Sequence, residues 1–457
     1  MNPVPPETEF PLHWVDGFVV EIKPHIFLRE ADDLLILLPN QSYKLNKPGR
    51  VLLSSMLQGR TLSEALGGRE PPPNVRRDLF HFFTGLAAMV KGCLGEGRGR
   101  PEVETVTYHR PYHSLPILSE VALTYRCNLA CRFCYAGQYR DGKASPQPSR
   151  SNGGGGLSQG MGSPDDMSTD QVKRVLRVIR NDAQVPSVSF TGGEPTLRED
   201  LAELVAEAAA LGLRVNLISN GQRMTPELAE RLSAAGLSSA QISLEGPDSE
   251  THEKLTGVEG SFEATLRAVR ALQGAKIPVH TNTTLTGVNV DAAVRMPGFA
   301  KDLGIDRFSM NMVIPAPWLR EQQAELLLSY REIGPRILEV RKQARAAGIR
   351  FMWYSPTPYC LFNPIAHNLG NKGCAACDGL LSVDPHGCII PCSSYFEPQG
   401  SLLETPFAEV WANASAREIR EKKCAPQECR GCADFELCEG ACPLYWQTMG
   451  CGELAQP

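Results

Sequence analysis

Cys127, Cys131 and Cys134 put three thiols into one short loop with the spacing C-x3-C-x2-C. Thiolates are soft ligands that suit zinc or iron–sulfur clusters. Structural zinc takes four ligands, usually from two paired sets, and no fourth ligand lies near this triad in sequence. A four-iron cluster held by three cysteines leaves one iron able to take an external ligand. The vacancy therefore points to a cofactor that lands on the cluster.

A second field lies near the carboxy terminus. It reads Cys374-x2-Cys377-x9-Gly387-x4-Cys392, then Cys429-x2-Cys432-x5-Cys438-x3-Cys442, then Cys451. The chain has 15 cysteines, and all but Cys93 fall in these two regions. Clustering of this kind indicates metal or cluster ligation. Paired C-x2-C units also fit zinc sites with four thiolates. Cys360, Cys388 and Cys424 find no place in the pattern, and Cys93, in a helical stretch, reads as a small buried apolar group.

Bulk properties narrow the field. The chain has 457 residues, enough for two or three domains, and a formal charge of −5. No basic field suggests nucleic acid as a partner. No run of eighteen apolar residues suggests a membrane span. MNPVPPETEF lacks the basic and apolar regions of a secretory signal. The expected location is the cytoplasm, where disulfides are rare.

The elements that must position these cysteines follow from periodicity. Residues 1–115 read as a small α+β, winged-helix-like unit and linker. IFLR, LLILL and SYKLN are its strands; GRVLLSSMLQ, TLSEALGG and RRDLFHFFTGLAAMVKGC are its helices. Thr61 and Glu64 match a capping box. Residues 116–355 alternate strands and helices, which implies a parallel α/β sheet. The strands are ILSEVALT, SVSFT, RVNLIS, SAQISL, PVHTNTTL and DRFSMNMVI. Six are too few for a full eight-stranded barrel. Residues 141–168, rich in Gly, Ser and Pro, read as a flexible insertion. Residues 356–457 read as loop-like and dependent on metal for a core.

The triad, with Phe133 before its last cysteine, resembles the signature of the radical S-adenosylmethionine (SAM) superfamily. The resemblance implies a partial (β/α)6 barrel. It implies a [4Fe–4S] cluster on Cys127, Cys131 and Cys134 that binds SAM and cleaves it to a 5′-deoxyadenosyl radical. FTGGEPTL matches the motif for the methionine amine, through Gly192, Gly193, Glu194 and Pro195. ISNGQ places Ser219 and Asn220 at the next strand end. Ser243 is the expected ribose-side contact, in Ser-Leu-Glu-Gly where family members often have Ser-Leu-Asp-Gly. MNMVIP resembles the strand end that frames adenine.

The second field is similar to the SPASM extension of these enzymes. That resemblance implies two auxiliary [4Fe–4S] clusters, making three in all. Cys374, Cys377, Cys392 and Cys442 would hold the first. Cys429, Cys432, Cys438 and Cys451 would hold the second. The amino-terminal unit looks like a PqqD-like peptide-recognition element, which implies a precursor peptide as substrate and a donor such as ferredoxin or flavodoxin. The expected function is oxidative modification of that peptide by a thioether or carbon–carbon link. Maturation of another protein or metalloenzyme cofactor is the alternative; a sulfatase maturase carries an aspartate where this chain has Ser393. A nonenzymatic zinc-rich adaptor is the third reading. Asp378, Glu245 and Tyr395 are candidate proton acceptors or donors, each also readable as an ordinary hydrogen-bonding residue.

Overall fold

The computed structural model describes residues 10–90, 113–136, 166–315, 319–320 and 324–455. The insertion expected at 141–168 lies almost wholly outside the described residues, as does Cys93. The chain forms two compact units that meet in sequence at Ile117 and Leu118.

In the first unit, β1 (Ile26–Arg29), β2 (Leu34–Leu37) and β3 (Gln41–Lys44) form an antiparallel meander in that order. The central strand, LLIL, is buried along its length. A helix that sequence reading overlooked, Val15–Ile22, packs Val15, Val19 and Ile22 into the same core as Leu35, Leu53 and Phe83. Asn46 caps the helix Lys47–Leu57 by accepting from the Gly49 N–H at 2.8 Å. The Thr61–Glu64 capping box forms as expected. Arg29 is buried and bonds both carboxylate oxygens of Asp32, at 2.8 and 2.9 Å. Its remaining donors reach the carbonyls of Leu115 and Pro116, which tie the end of the linker to this sheet.

The second unit is built on one sheet. All six expected strands form: β4 (Leu118–Thr124), β5 (Ser187–Gly192), β6 (Arg214–Ser219), β7 (Ser239–Ser243), β8 (Val279–Leu285) and β9 (Arg307–Met312). They pair in parallel and in sequence order. Their largely continuous burial is what a parallel sheet covered on both faces requires. The helix Thr169–Asn181 shows why the crossovers form: Ser168 and Gln171 make a capping box, and Val172, Val175, Leu176 and Ile179 face the core at helical spacing.

The sheet is larger than six strands. β10 (Arg350–Trp353) extends it in parallel beyond β9. On the other side β11 (Leu380–Val383) pairs in parallel with β4, followed by antiparallel β12 (Cys388–Ile390) and β13 (Gly400–Ser401). The cysteine-rich tail is thus stitched to the barrel sheet. It also carries the helices Phe407–Trp411, Ala414–Arg420 and Pro443–Met449. These run one or two turns, too short for a helical period to register, so the expected loop-like tail is corrected here. The long helix Tyr330–Ala347, with its Ser329–Glu332 capping box, was also missed; Pro335 in its second turn obscured it.

Because β4 to β9 are parallel, their carboxyl ends gather along one edge of the sheet. Ligands of α/β sheets bind at such an edge.

Candidate active site and cluster sites

β4 ends at Thr124, and the cysteine loop begins at once. Three elements hold the loop. The turn after β5 donates Gly193 N–H to the Thr124 carbonyl at 2.7 Å and Glu194 N–H to the Arg126 carbonyl at 2.9 Å. A Cβ on Gly193 would stand 2.2 Å from the Arg126 carbonyl oxygen, and Gly192 has φ +123°, so this approach needs both glycines. The end of the helix Ser249–Thr256 accepts the Ala130 and Arg132 N–H groups, each at 2.9 Å, on the Thr256 and Leu255 carbonyls. Asn220, after β6, donates its side-chain amide to Asn128 Oδ1 at 2.9 Å and Cys127 Sγ at 3.6 Å.

Cys127, Cys131 and Cys134 line one small pocket with Tyr125, Leu129, Ala136 and Gly193. Among the described residues no three His, Cys, Asp or Glu side chains close on a single ion-sized point; the triad rings a space instead. Leu129 N–H also donates to Cys127 Sγ, at 3.5 Å. N–H donors aimed at a thiolate stabilise its charge. A cluster on three thiols beside an open cavity fits this donor set. Phe133 is partly buried against the cluster of Leu255, Val313, Leu319 and Leu326, and anchors the loop. Tyr135 donates its hydroxyl to the Gly192 carbonyl at 3.0 Å.

The expected SAM-side residues fall on the same edge. Glu194 is buried, and its carboxylate accepts from Thr196 N–H and hydroxyl, Ser219 hydroxyl and Asn220 N–H, at 2.6 to 3.0 Å. Burial raises its pKa against those donors. In this arrangement Glu194 locks the β5 and β6 ends together. Pro195 is buried and opens the turn Pro195–Leu197. Ser243 stands half-buried at the end of β7. Nearby, Glu245 is buried and accepts Thr284 N–H at 2.8 Å. Burial pushes its carboxyl up to about 8, so it carries a proton at neutral pH. Its own N–H donates to His252 Nδ1 at 3.1 Å.

In the tail, Cys374, Cys377 and Cys392 pack together around Ala376, Ala416 and Ile419. The charges that bear on Cys392 include those of Cys374 and Cys442, so the first expected set gathers. Burial pushes Cys377 and Cys442 up to about 12; a metal is what would ionise them. Cys424 joins this group: it lines one small pocket with Cys374, Lys422 and Glu439. Lys422 is buried, 3.1 Å from Glu439 and 3.9 Å from Asp378, so Asp378 is engaged in an ion pair. In the second set, the charges that bear on Cys429 are those of Cys438, Cys360, Cys432 and Glu428. The charge that bears on Cys451 is that of Glu428. Cys388 lies on β12, where burial and the carboxylates of Asp384 and Glu404 push it up to about 12.

Sequence reading missed Glu120. It sits in β4, accepts the Ser382 hydroxyl at 2.6 Å and Ser393 N–H at 3.2 Å, and is held up in pKa by burial. Its charge bears on both Tyr135 of the triad loop and Cys392 of the first auxiliary set. An acidic residue inside the apolar run LSEVALT was the signal. Tyr395, a candidate proton donor, is raised in pKa by burial and by the Glu397 charge.

A model of the radical SAM superfamily matches residues 121–296, and a model of the SPASM iron–sulfur cluster-binding domain matches residues 374–433. PqqA peptide cyclase of Streptomyces rochei is 30% identical over 268 residues, spanning 56% of this chain and 71% of the relative. AdoMet-dependent heme synthase of Methanosarcina barkeri is 27% identical over 346 residues, spanning 71% of this chain and 90% of the relative. In three dimensions the chain is similar to SuiB of Streptococcus suis, solved bound to the precursor peptide SuiA. The TM-score is 0.62 and the identity 17%, covering 93% of this chain and 95% of SuiB, a likeness of fold. The first match begins within β4, takes in the triad and runs on past β8, and the second opens at Cys374; with a relative at 30% identity, these place the chain in the radical SAM superfamily as an enzyme with an SPASM iron–sulfur domain.

Proposed function

We propose that this enzyme oxidatively modifies a ribosomally made peptide that residues 1–115 recruit, forming a thioether, a carbon–carbon link or a related bond. The single observation that carries the reading is the three-stranded sheet β1–β2–β3, with β3 at its edge, encoded ahead of a radical SAM core. An extended peptide can add to such an edge as a further strand; backbone hydrogen bonds supply affinity and side-chain pockets supply selectivity. Support also comes from a relative named as a peptide cyclase and from a fold neighbour solved with its precursor peptide.

Cys127, Cys131 and Cys134 would hold the SAM-binding cluster. When bound, cluster and SAM supply a 5′-deoxyadenosyl radical able to take hydrogen from an unactivated carbon. The chain's own residues position and exclude. Asn220 and Leu129 hold Cys127, Glu194 ties the β5 and β6 ends, and protonated Glu245 presents a neutral carboxyl beside Ser243. The two tail sets would hold two auxiliary clusters, a route for the electron that leaves the substrate radical on oxidation, and a ferredoxin or flavodoxin would be the donor for SAM cleavage.

The test is anaerobic reconstitution with a reductant and a short candidate peptide encoded nearby, followed by mass analysis. A two-hydrogen loss, about two daltons, is the expected product shift under a hydrogen-abstraction mechanism. Deleting residues 1–115 is expected to abolish peptide binding while SAM cleavage persists. Unchanged peptide binding by the deletion variant overturns the recruitment reading.

A second reading is favoured by the heme synthase match, which spans 90% of that relative. It makes the substrate a tetrapyrrole or another metalloenzyme cofactor. Incubation with a candidate porphyrin precursor separates the two: turnover of the porphyrin with no peptide product decides for it.

A further inference from the structure

We propose that Arg214, Arg307 and Arg350 form a carboxylate-binding rim at the barrel mouth opposite the cysteine loop, and that it takes an acidic group of the substrate. The three arginines open β6, β9 and β10. The cysteine loop and Ser219 stand at the other, carboxyl ends of the strands. That a peptide carries the acidic group rests on the function proposed above.

Alternation along the strands sets which face the arginines occupy. Val215 and Leu217 on β6, and Phe308 and Met310 on β9, are fully buried. Arg214 and Asn216, and Arg307 and Asn311, stand half-buried on the opposite face. Polar groups on that face bond one another across the strands: Asn216 with Ser239, His280 with Gln241 and Asn282 with Ser309, at 2.7 to 3.1 Å. The arginines have no such counterpart. Among the described residues no carboxylate forms an ion pair with any of the three. Arg307 and Arg350 are register partners on adjacent parallel strands, so they share a face. Their Cα atoms are then about 5 Å apart, one strand spacing. Like charges placed directly opposite destabilise a sheet.

Arg214 lies three strands from β9, yet burial and the Arg307 charge lower its pKa. His280, on β8 between them, is buried, and its Nδ1 has no partner. Burial and the charges of Arg307 and Arg214 press its pKa to about 4, so it adds no charge at neutral pH. Tyr354 follows β10 and has Lys372 Nζ 5.6 Å from its ring centroid, which brings a fourth cation to the rim. Guanidinium forks pair with carboxylates through two parallel hydrogen bonds. Repulsion among these cations is relieved when an acidic group enters. From Arg214 to Ser219 β6 spans about 17 Å, at about 3.3 Å per residue, so the anchored group lies roughly five extended residues from the SAM-side strand ends.

The test is calorimetric titration, at fixed ionic strength, of anaerobically reconstituted full-length protein. The probes are acetyl-Glu-Gly-Glu-amide with its Gln-Gly-Gln twin, and a porphyrin tetracarboxylate with its tetramethyl ester. The proteins are wild type, Arg307→Gln, Arg350→Gln and, as a charge control, Arg231→Gln on the exposed face of the helix Pro226–Ala234. A carboxylate probe is expected to bind wild type and Arg231→Gln alike and its neutral twin not at all, with affinity about tenfold weaker in Arg307→Gln and Arg350→Gln. Absence of binding by both carboxylate probes, equal binding of the neutral twins, or unchanged affinity in Arg350→Gln overturns the site. Arg350 is exposed, so its variant decides if Arg307→Gln misfolds. Melting temperature is expected to hold or rise in Arg350→Gln; a fall makes the arginines structural and overturns the proposal. Rim-dependent binding of the porphyrin alone supports the rim while it overturns the peptide as its occupant.

Discussion

Asn220 donates its side-chain amide to Cys127 Sγ at 3.6 Å while its backbone N–H is held by Glu194 at 2.7 Å. One residue therefore couples the β6 end to a ligand sulfur. A hydrogen bond to a cluster sulfur favours the reduced form. Replacing Asn220 with Ala is expected to make the Cys127-site cluster harder to reduce. A bond worth about 1 kcal/mol corresponds to about 40 mV for one electron. An EPR redox titration of Asn220→Ala reads the shift, and an unchanged midpoint refutes the role.

Gly193 presses its backbone on the first turn of the cysteine loop. In Gly193→Ala the new methyl would meet the carbonyl oxygens of Arg126 and Tyr125 at 2.2 and 2.6 Å. Neither is the end of a flexible side chain, so the loop must move. The variant is expected to lose about four irons of the total, those of the triad, and to retain the auxiliary clusters. Iron analysis with Mössbauer spectroscopy checks this.

Glu245 gives a pH signature. Its folded pKa, about 8, lies above the ordinary 4.5 because of burial. The native state then binds more protons than the unfolded state between those values. This contribution to stability is fully present below about 4.5 and is lost as pH rises through about 8, by at most about 1.4 kcal/mol per pH unit. Glu245→Gln keeps an acceptor for Thr284 N–H and cannot ionise. Melting temperature between pH 6 and pH 9 is expected to fall less steeply in the variant than in wild type. Parallel curves would exclude this ionisation.

Arg29 and Asp32 form a buried ion pair within the first unit, with side chains 0% and 6% exposed. Burial raises the Asp32 pKa, but Arg29 and Ser114 N–H outweigh it, and the net shift is downward. The stability this carboxylate contributes is present above its unfolded pKa of 3.8 and is lost as pH falls through the lower folded value. Arg29→Ala leaves Asp32 buried without its guanidinium partner, at a cost of about 3–5 kcal/mol. Hydrogen exchange in peptides from 15–90 is expected to accelerate, with residues 118–457 unaffected.

Much of this architecture was legible in the linear chain because it is local. LSEVALT, SVSFT and RVNLIS announce buried strands by composition, and all six expected strands form. Short elements were not legible. β11 pairs with β4, which lies over 250 residues away in sequence, β12 and β13 add on to β11 in turn, and a strand of two to four residues has no period of its own. Glu194 read as a ligand for an ammonium, and the fold shows its oxygens accepting from four protein donors. Hydrogen-bond partners of a buried carboxylate are a matter of which strand ends meet.

By itself, the sequence determined the chemistry: the spacing of Cys127, Cys131 and Cys134 leaves an iron open, and the tail motifs announce more thiolate sites. Spacing of close neighbours is set by covalent geometry, so it survives in one dimension. Tertiary structure decided which distant groups come together. It carried Tyr359 to Cys438 and Cys424 to Cys374, and set Glu120 where its charge bears on both Tyr135 and Cys392. Those proximities arise from packing across strands and loops, and no local pattern encodes them.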